Sequence, residues 1–337
     1  MGEVVIGVDG GNSKTDYFLF GLNGRLLDYW HTGTCSHEQF ADGFAGARRE
    51  MTARVHALLE RNELSSADVE AAAFGLAGAD FPAQKEELCR IAEDMGLTRY
   101  AVDNDSFLGI KAGCPSGSGV CSINGSGTVT GGISPSGRRL QIGGVGSELA
   151  GDEAGGYYLG RRVVRAVYDA LYRRGPLTEL AAPVMELLGV TEAERFLEAA
   201  AGRIAGRTLP NTELMRLLFA AADRGDEAAL GILAQSARQL ALSTAGCIEG
   251  LDFGEEVEVV LAGSVWLKAE SPLYFERYRG ELAALTDRLC RFVRLAVPPA
   301  TGAALWALEL AWGRPVDAAT RAQVVGSVME LQILYPN

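Results

Sequence analysis

Val5-Ile6-Gly7-Val8-Asp9-Gly10-Gly11-Asn12-Ser13-Lys14-Thr15, followed by Tyr17-Phe18-Leu19-Phe20, sets an apolar run, a carboxylate, two glycines, a polar turn and a second apolar run in series. The pattern predicts a tight β-hairpin whose tip exposes backbone N–H groups beside one carboxylate. Glycine lets a backbone approach a bulky anion and take positive φ without a Cβ clash, so the tip suits a phosphate. The adjacent carboxylate suits a hydrated Mg²⁺. An ordinary turn of Gly, Asn and Ser accounts for the same residues when the hairpin is taken alone.

Working outward, the turn Leu22-Asn23-Gly24-Arg25 leads into Leu26-Leu27-Asp28-Tyr29-Trp30, a third antiparallel strand. A loop, Thr32 to His37, precedes a helical pattern from about Phe40 to Arg61 with apolar Phe44, Met51, Val55, Leu58 and Leu59. A short capped turn at Ser65–Asp68, a small-residue strand at Ala71–Gly78, a helix over Ala83–Met95 and a strand at Tyr100–Val102 complete the order βββαβαβ. Ligands of open α/β sheets sit off the carboxyl ends of strands, so Asp9, Gly78 and Asp105 are placed to face one crevice. A helix from Phe107 then reaches a Gly/Ser/Pro boundary at Cys114–Gly119.

Beyond that boundary the opening pattern recurs: strand Val120–Ile123, glycine turn Asn124-Gly125-Ser126-Gly127-Thr128, strand Val129–Ile133, turn Ser134–Gly137 and strand Leu140–Ile142. Such a duplication sets two glycine turns on opposite sides of one cleft, which strengthens the phosphate reading of each. Next, Gly143 to Gly156 is a glycine loop carrying Asp152 and Glu153 at a helix start. Two readings stand for these acids: favourable charges against the helix macrodipole, slightly preferred on spacing, or acceptors for the hydroxyls of a polar ligand.

From about 177 to 251 the chain is nearly all helical pattern, with Leu214, Leu217, Leu218, Leu230, Ile232, Leu233, Leu240 and Leu242 expected in the core. A buried-type strand, Glu256–Leu261, ends at Ala262-Gly263-Ser264-Val265-Trp266, a turn open to the flat face of a base or simply a βα connection. After a last strand at Phe292–Val297 and Pro298-Pro299, the small residues Thr301-Gly302-Ala303-Ala304 invite close helix packing. The expected division is 1–116 and 117–317, with a helical insertion at 177–251 and a terminal helix, 318–337, returning to the first unit.

Composition narrows the class. The 337 residues are 48% hydrophobic and 22% charged, which is ordinary for a globular chain, and a net charge of −12 argues against a nucleic-acid surface. Arg161-Arg162 and Arg173-Arg174 are the densest basic pairs and read as solvated helix face. Cys35, Cys89, Cys114, Cys121, Cys247 and Cys290 are scattered without a CxxC pair, as in a reduced, cytoplasmic protein. No basic-then-apolar leader and no membrane-length apolar run stand out.

Six stretches, DGGNSKT at Asp9–Thr15, DNDS at Asp103–Ser106, NGSGT at Asn124–Thr128, GGVGSELAGDEAGG at Gly143–Gly156, LAGSVW at Leu261–Trp266 and TGAA at Thr301–Ala304, are colinear. Together they resemble the N-acetylglucosamine kinase branch of the BadF/BadG ATPase family, within the sugar kinase, Hsp70 and actin superfamily. The resemblance implies an α/β fold of two ribonuclease-H-like (actin-like ATPase) domains closing on ATP, Mg²⁺ and a sugar, in a homodimer. It places Asp9 near Mg²⁺, Gly10, Gly11, Asn12, Ser13 and Thr15 near the β- and γ-phosphates, and Gly125, Ser126, Gly127 and Thr128 in a second phosphate loop. Gly263 and Ser264 would border the adenosine. Asp105 would be the base that takes a proton from the attacking sugar hydroxyl, preferably the 6-hydroxyl, and Ser36, His37, Val145, Gly146 and Asp152 would surround the sugar.

The chain has Val145 where this family often has an aromatic residue, and no Asn among Thr34, Cys35, Ser36 and His37. Glucosamine or another hexose derivative therefore stays open as the acceptor. A second expectation is an ATPase that activates a 2-hydroxyacyl-CoA dehydratase or benzoyl-CoA reductase, with an iron–sulfur cluster held between subunits. A sugar-sensing regulator would need a DNA-binding segment, for which there is no room before Val4.

Overall fold

The computed structural model describes residues 3–269 and 271–334. The first part of the chain runs β1 (Val4–Gly10), β2 (Lys14–Gly21), β3 (Leu26–Gly33), α1 (Phe44–Glu60), β4 (Val69–Leu76), α2 (Pro82–Asp94), β5 (Tyr100–Asp103) and α3 (Ser106–Gly113). The second runs β6 (Gly119–Asn124), β7 (Thr128–Ile133), β8 (Arg139–Gly143), α4 (Gly155–Tyr172), α5 (Ala181–Leu187), α6 (Phe196–Ala205), α7 (Asn211–Asp223), α8 (Glu227–Gly250), β9 (Glu256–Ala262), α9 (Ser264–Lys268), α10 (Leu273–Ala283) and β10 (Leu289–Arg294). Two further helices follow, α11 (Ala300–Trp312) and α12 (Ala318–Leu334).

The strands form two five-stranded sheets with one topology repeated: β3-β2-β1-β4-β5 and β8-β7-β6-β9-β10. In each, a meander of three antiparallel strands is extended by two parallel ones. The architecture is that of two α/β, ribonuclease-H-like sheets, and residue identity between the halves plays little part in it. What recurs is the order of apolar runs and turns.

Alternation along β1 decides which side faces what. Val4, Ile6 and Val8 pack with Met51, Val55 and Leu58 of α1 and Leu88 and Ile91 of α2. Val5 packs on the opposite face with Phe18, Phe20, α3 and α11. Both faces are therefore covered, which explains why Ala71-Ala72-Ala73 of β4 is apolar on every residue.

The layer between the sheets depends on missing side chains. A Cβ on Gly7 would lie 2.6 Å from the Ala304 nitrogen, and one on Gly302 would lie 2.0 Å from the Leu108 carbonyl oxygen. Thus α11, which follows the second sheet, lies directly on β1 and on α3. In turn α3, which follows the first sheet, packs on the second, with Gly109 against Cys121 and Gly113 against Val260. Each sheet is covered by a helix from the other, and Val324 and Val328 of α12 join the same core as Phe18 and Phe20.

Some sequence expectations are corrected. Leu230 and Leu242 are 38% and 40% exposed, because α8 buries one face only and these two lie on the other. The last strand is Leu289–Arg294 rather than Phe292–Val297, since its register is set by pairing Leu289 with Glu256 and Arg294 with Leu261.

Candidate functional site

The ends of the first sheet's parallel strands meet β8 and the glycine loop of the second, through Asp80, Gln141 and Gly144. Asp9 lies in β1 opposite Asp16 of β2, half-buried and within electrostatic reach of Asp105. Burial, Asp105 and Asp16 together push the Asp9 carboxyl up to about 8, with Lys14 opposing them. Asp105 follows β5 and precedes α3, where burial and then the charge of Asp80 raise its carboxyl to about 6. The structure therefore brings Asp9 and Asp105 together as two crowded carboxylates that share too little positive charge.

Asp80 belongs to the same crevice, and its contribution escaped the sequence reading. Its Oδ1 accepts hydrogen bonds from Asn104 Nδ2 at 2.9 Å and from Gln141 Nε2 at 2.7 Å, and its own carboxyl is raised, mainly by burial. The usable signal was position: Asp80 follows the end of β4 as Asp105 follows the end of β5. Next to it, Ser36 is buried with an unpartnered Oγ, and the His37 ring stacks on Phe44 at 4.0 Å. A Cβ on Gly78 would come within 2.8 Å of His37, whose imidazole burial holds below its ordinary pKa.

The first glycine turn is closed by Gly11 N–H donating to the Lys14 carbonyl at 2.9 Å, leaving Asn12 and Ser13 exposed. Thr34 Oγ1 donates to the Gly11 carbonyl at 2.8 Å and so fixes the turn from below. Gly10 is buried under Leu76 and Cys35. Thr15 is fully buried, and its Oγ1 accepts from the Cys35 N–H, so this side chain supports the neighbouring loop rather than opening into the cleft.

The second glycine turn is bound to the start of α4. Gly155 N–H donates to Asn124 Oδ1, Gly156 N–H to the Gly125 carbonyl and Tyr157 N–H to the Ser126 carbonyl, at 2.9, 2.8 and 3.0 Å. Thr128 Oγ1 donates to the Ile123 carbonyl. Ser126 and Gly127 remain exposed at the tip. Gly263, at φ 95°, supports this turn from the other side: its missing Cβ would lie 2.5 Å from Asn124, a backbone approach no larger residue permits.

The Asp152 carboxylate is buried and accepts from the Gly144 N–H at 3.0 Å and the Gly146 N–H at 2.8 Å, so its hydrogen-bond partners lie in its own loop. It organises the glycine loop, on which Val145 and Gly146 are exposed. Glu153 instead accepts the Tyr158 hydroxyl. The spacing suggested charges set against the helix macrodipole because α4 begins three residues after Asp152; the αL turn at Gly151 precedes Asp152, whose carboxylate bonds to its own loop.

Two cavities border the second glycine turn. One, of about 620 Å³, is lined by Gly125, Ser126 and Ser264 and walled by Met215, Phe219 and Val265, with Asp223 and Lys268 at its polar margin. The other, of about 400 Å³, is lined by Ser126, Gly127, Thr128, Gly146 and Asp152 and by two arginines, Arg161 and Arg207. Cys114 and Cys121 are fully buried in the core between the sheets. No helix among the described residues is long and apolar enough to cross a membrane.

Comparison with known proteins agrees with the fold. An N-acetylmuramic acid/N-acetylglucosamine kinase of Clostridium acetobutylicum is 27% identical over 265 residues, 78% of this chain and 85% of that protein. An N-acetyl-D-glucosamine kinase of Dictyostelium discoideum is 28% identical over 274 residues, 77% of this chain and 85% of its own length. Among solved structures, one from Chromobacterium violaceum that carries an N-acetylglucosamine kinase name superposes with a TM-score of 0.62 at 22% identity, covering 92% of this chain and 99% of that one. A ROK family glucokinase from Streptomyces griseus, solved with glucose and AMPPNP, gives 0.51 at 19% identity, covering 90% and 99%. These likenesses show the fold. The model of the BadF/BadG/BcrA/BcrD ATPase family matches residues 6–307, nearly the whole chain, and the protein belongs to that family.

Proposed function

We propose that this protein is an ATP-dependent kinase that transfers the γ-phosphoryl group to a hydroxyl, preferably the 6-hydroxyl, of an amino sugar, with N-acetylglucosamine the first candidate. The observation that carries the reading is Asp105, a carboxylate held in the cleft beside Asp9 with its pKa raised to about 6. A base tuned near the operating pH is mostly ionised at neutrality yet still accepts a proton readily.

The residues fit a nucleotide and a divalent cation. Asp9 is crowded by Asp105 and Asp16 with only Lys14 to offset them, so a cation beside it relieves a standing repulsion. Mg²⁺ keeps several waters and takes its other ligands from one or two carboxylates and from phosphates, so a single carboxylate such as Asp9 suits it. Asp9 would hold the ion, which would supply positive charge against the charge that develops on the phosphates during transfer.

The chain's own groups then divide the work. Asn12 and Ser13 on one side, and Ser126 and Gly127 on the other, present backbone donors to the phosphates, on turns that Gly10, Gly11, Gly125 and Thr128 shape. Ser264 and the apolar wall at Met215, Phe219 and Val265 receive the base, with Gly263 keeping the wall and the turn in contact. Asp105 accepts the proton of the attacking hydroxyl. The loops at Ser36, His37, Val145 and Gly146, shaped by Asp152, surround the sugar. Closure of the two sheets' loops would exclude water and limit ATP hydrolysis.

The reading as a dehydratase activator has less support. Cys114 and Cys121 pack inside the intersheet core, away from any surface on which two subunits could share a cluster. A coupled ADP-release assay over N-acetylglucosamine, glucosamine, N-acetylmannosamine, glucose and no sugar tests the proposal. Sugar-stimulated release, largest with N-acetylglucosamine, is expected; ADP release indifferent to every sugar would overturn it.

A further inference from the structure

The cavity of about 400 Å³ beside the second glycine turn contains charge that the transfer reaction, as described, does not use. Arg161, on the second turn of α4, and Arg207, in the loop after α6, both line it. Both side chains are exposed, and neither guanidinium has a carboxylate within ion-pair distance among the described residues. Arg173, of the other basic pair singled out in the sequence, is bound to Asp169 at 2.9 Å. Arg161 is not.

Asp152 is the one acid in the lining, and its carboxylate accepts from the Gly144 and Gly146 N–H groups, which partly offset its charge. Ser126 and Gly127 stand exposed at the turn, on the positive end of the 18-residue helix α4. Arg207 takes a left-handed conformation, φ 53°, at the end of α6, a position where glycine is unstrained.

We propose that this cavity is an anion site in which Arg161 and Arg207 bind an acidic oxygen group, resting on the kinase reading for its neighbours but not for its own chemistry. Guanidinium forks match carboxylate and phosphate oxygens, and charge-assisted hydrogen bonds of this kind are about twice as strong as neutral ones. The cavity touches both the phosphate turn, through Ser126 to Thr128, and the sugar-side loop, through Gly146 and Asp152. The group is therefore either a phosphate of the nucleotide or a carboxylate carried on the acceptor sugar.

Titration calorimetry on the whole protein separates these sources. Wild type, Arg161→Met/Arg207→Met and Arg161→Lys/Arg207→Lys would be titrated with ADP, inorganic phosphate, N-acetylglucosamine and its 3-O-carboxyalkyl derivative. The methionine pair is expected to lose roughly tenfold or more in affinity for an anionic ligand, with lysine restoring part of it and N-acetylglucosamine unaffected. Loss confined to ADP and phosphate assigns the site to the nucleotide; loss confined to the carboxylated sugar assigns it to the acceptor; either supports the anion site. Unchanged affinities for all four ligands, or an equal loss for N-acetylglucosamine, would overturn it. Should the wild type phosphorylate no sugar, the kinase reading fails, while the phosphate and ADP titrations still decide the anion site.

Discussion

Gln141 Nε2 donates to Asp80 Oδ1 at 2.7 Å, and this bond joins a residue of β8 in the second sheet to the loop after β4 in the first. Asn104 Nδ2 donates to the same oxygen, so Asp80 is held in place beside Asp105 by one residue from each half of the molecule. A carboxylate fixed in this way acts on its neighbour through charge, since like charges in a shared crevice disfavour ionisation.

Replacing Asp80 by Asn keeps an acceptor oxygen for both amides and removes that charge. Asp105 then ionises more easily. The acid limb of kcat/KM, expected near pH 6 in the wild type, should move to lower pH, which a pH–rate profile of the variant measures. An unmoved limb would separate Asp80 from the base.

Asp105→Asn removes the proton acceptor and leaves the glycine turns intact. Sugar phosphorylation should fall by about two to four powers of ten while ATP still binds. Steady-state assay alongside nucleotide titration tests both halves of this statement, and near-normal turnover would refute the base assignment.

Asp9→Asn should weaken Mg²⁺-dependent ATP binding and stabilise the ligand-free protein. The sign follows from linkage: a carboxyl whose folded pKa is about 8 binds its proton more tightly in the fold than in the unfolded chain. Its stabilisation is complete below the unfolded value near 3.8 and is lost as pH rises toward 8. At pH 7.5 to 8 the variant, which carries no charge to bury, should be more stable by at least about 1 kcal/mol, with the difference shrinking toward pH 4. Urea melts across that range provide the test.

Gly302→Ala should destabilise the protein by about 2 kcal/mol or more, because the new methyl would meet the Leu108 carbonyl at 2.0 Å with backbone on both sides. Gly326→Ala, in α12 with nothing within 4 Å, should instead stabilise by about 0.5 to 1 kcal/mol. The pair of denaturant midpoints distinguishes close packing of α11 on α3 from a general intolerance of change.

Local chemistry alone determined a great deal here. The apolar runs and turns of the opening hairpin, and their echo at Asn124–Thr128, named the strands, their order and the two glycine turns, because period-two burial and glycine's conformational freedom act over a few residues. Asp9 and Asp105 were found for the same reason: each marks the end of a strand. Only the tertiary structure decided what those residues meet. It turned Thr15 inward to hold Cys35 and folded Asp152 back on its own loop. It set Gln141 and Asn104 on Asp80 from opposite halves of the molecule, and brought Arg161 and Arg207 to one cavity from a helix and a loop more than forty residues apart. Hydrogen bonds and charges between distant segments depend on how helices trade sheets across the centre, and that exchange rests on close backbone approach at Gly7 and Gly302, where the sequence shows only small residues and the packing shows why they must be small.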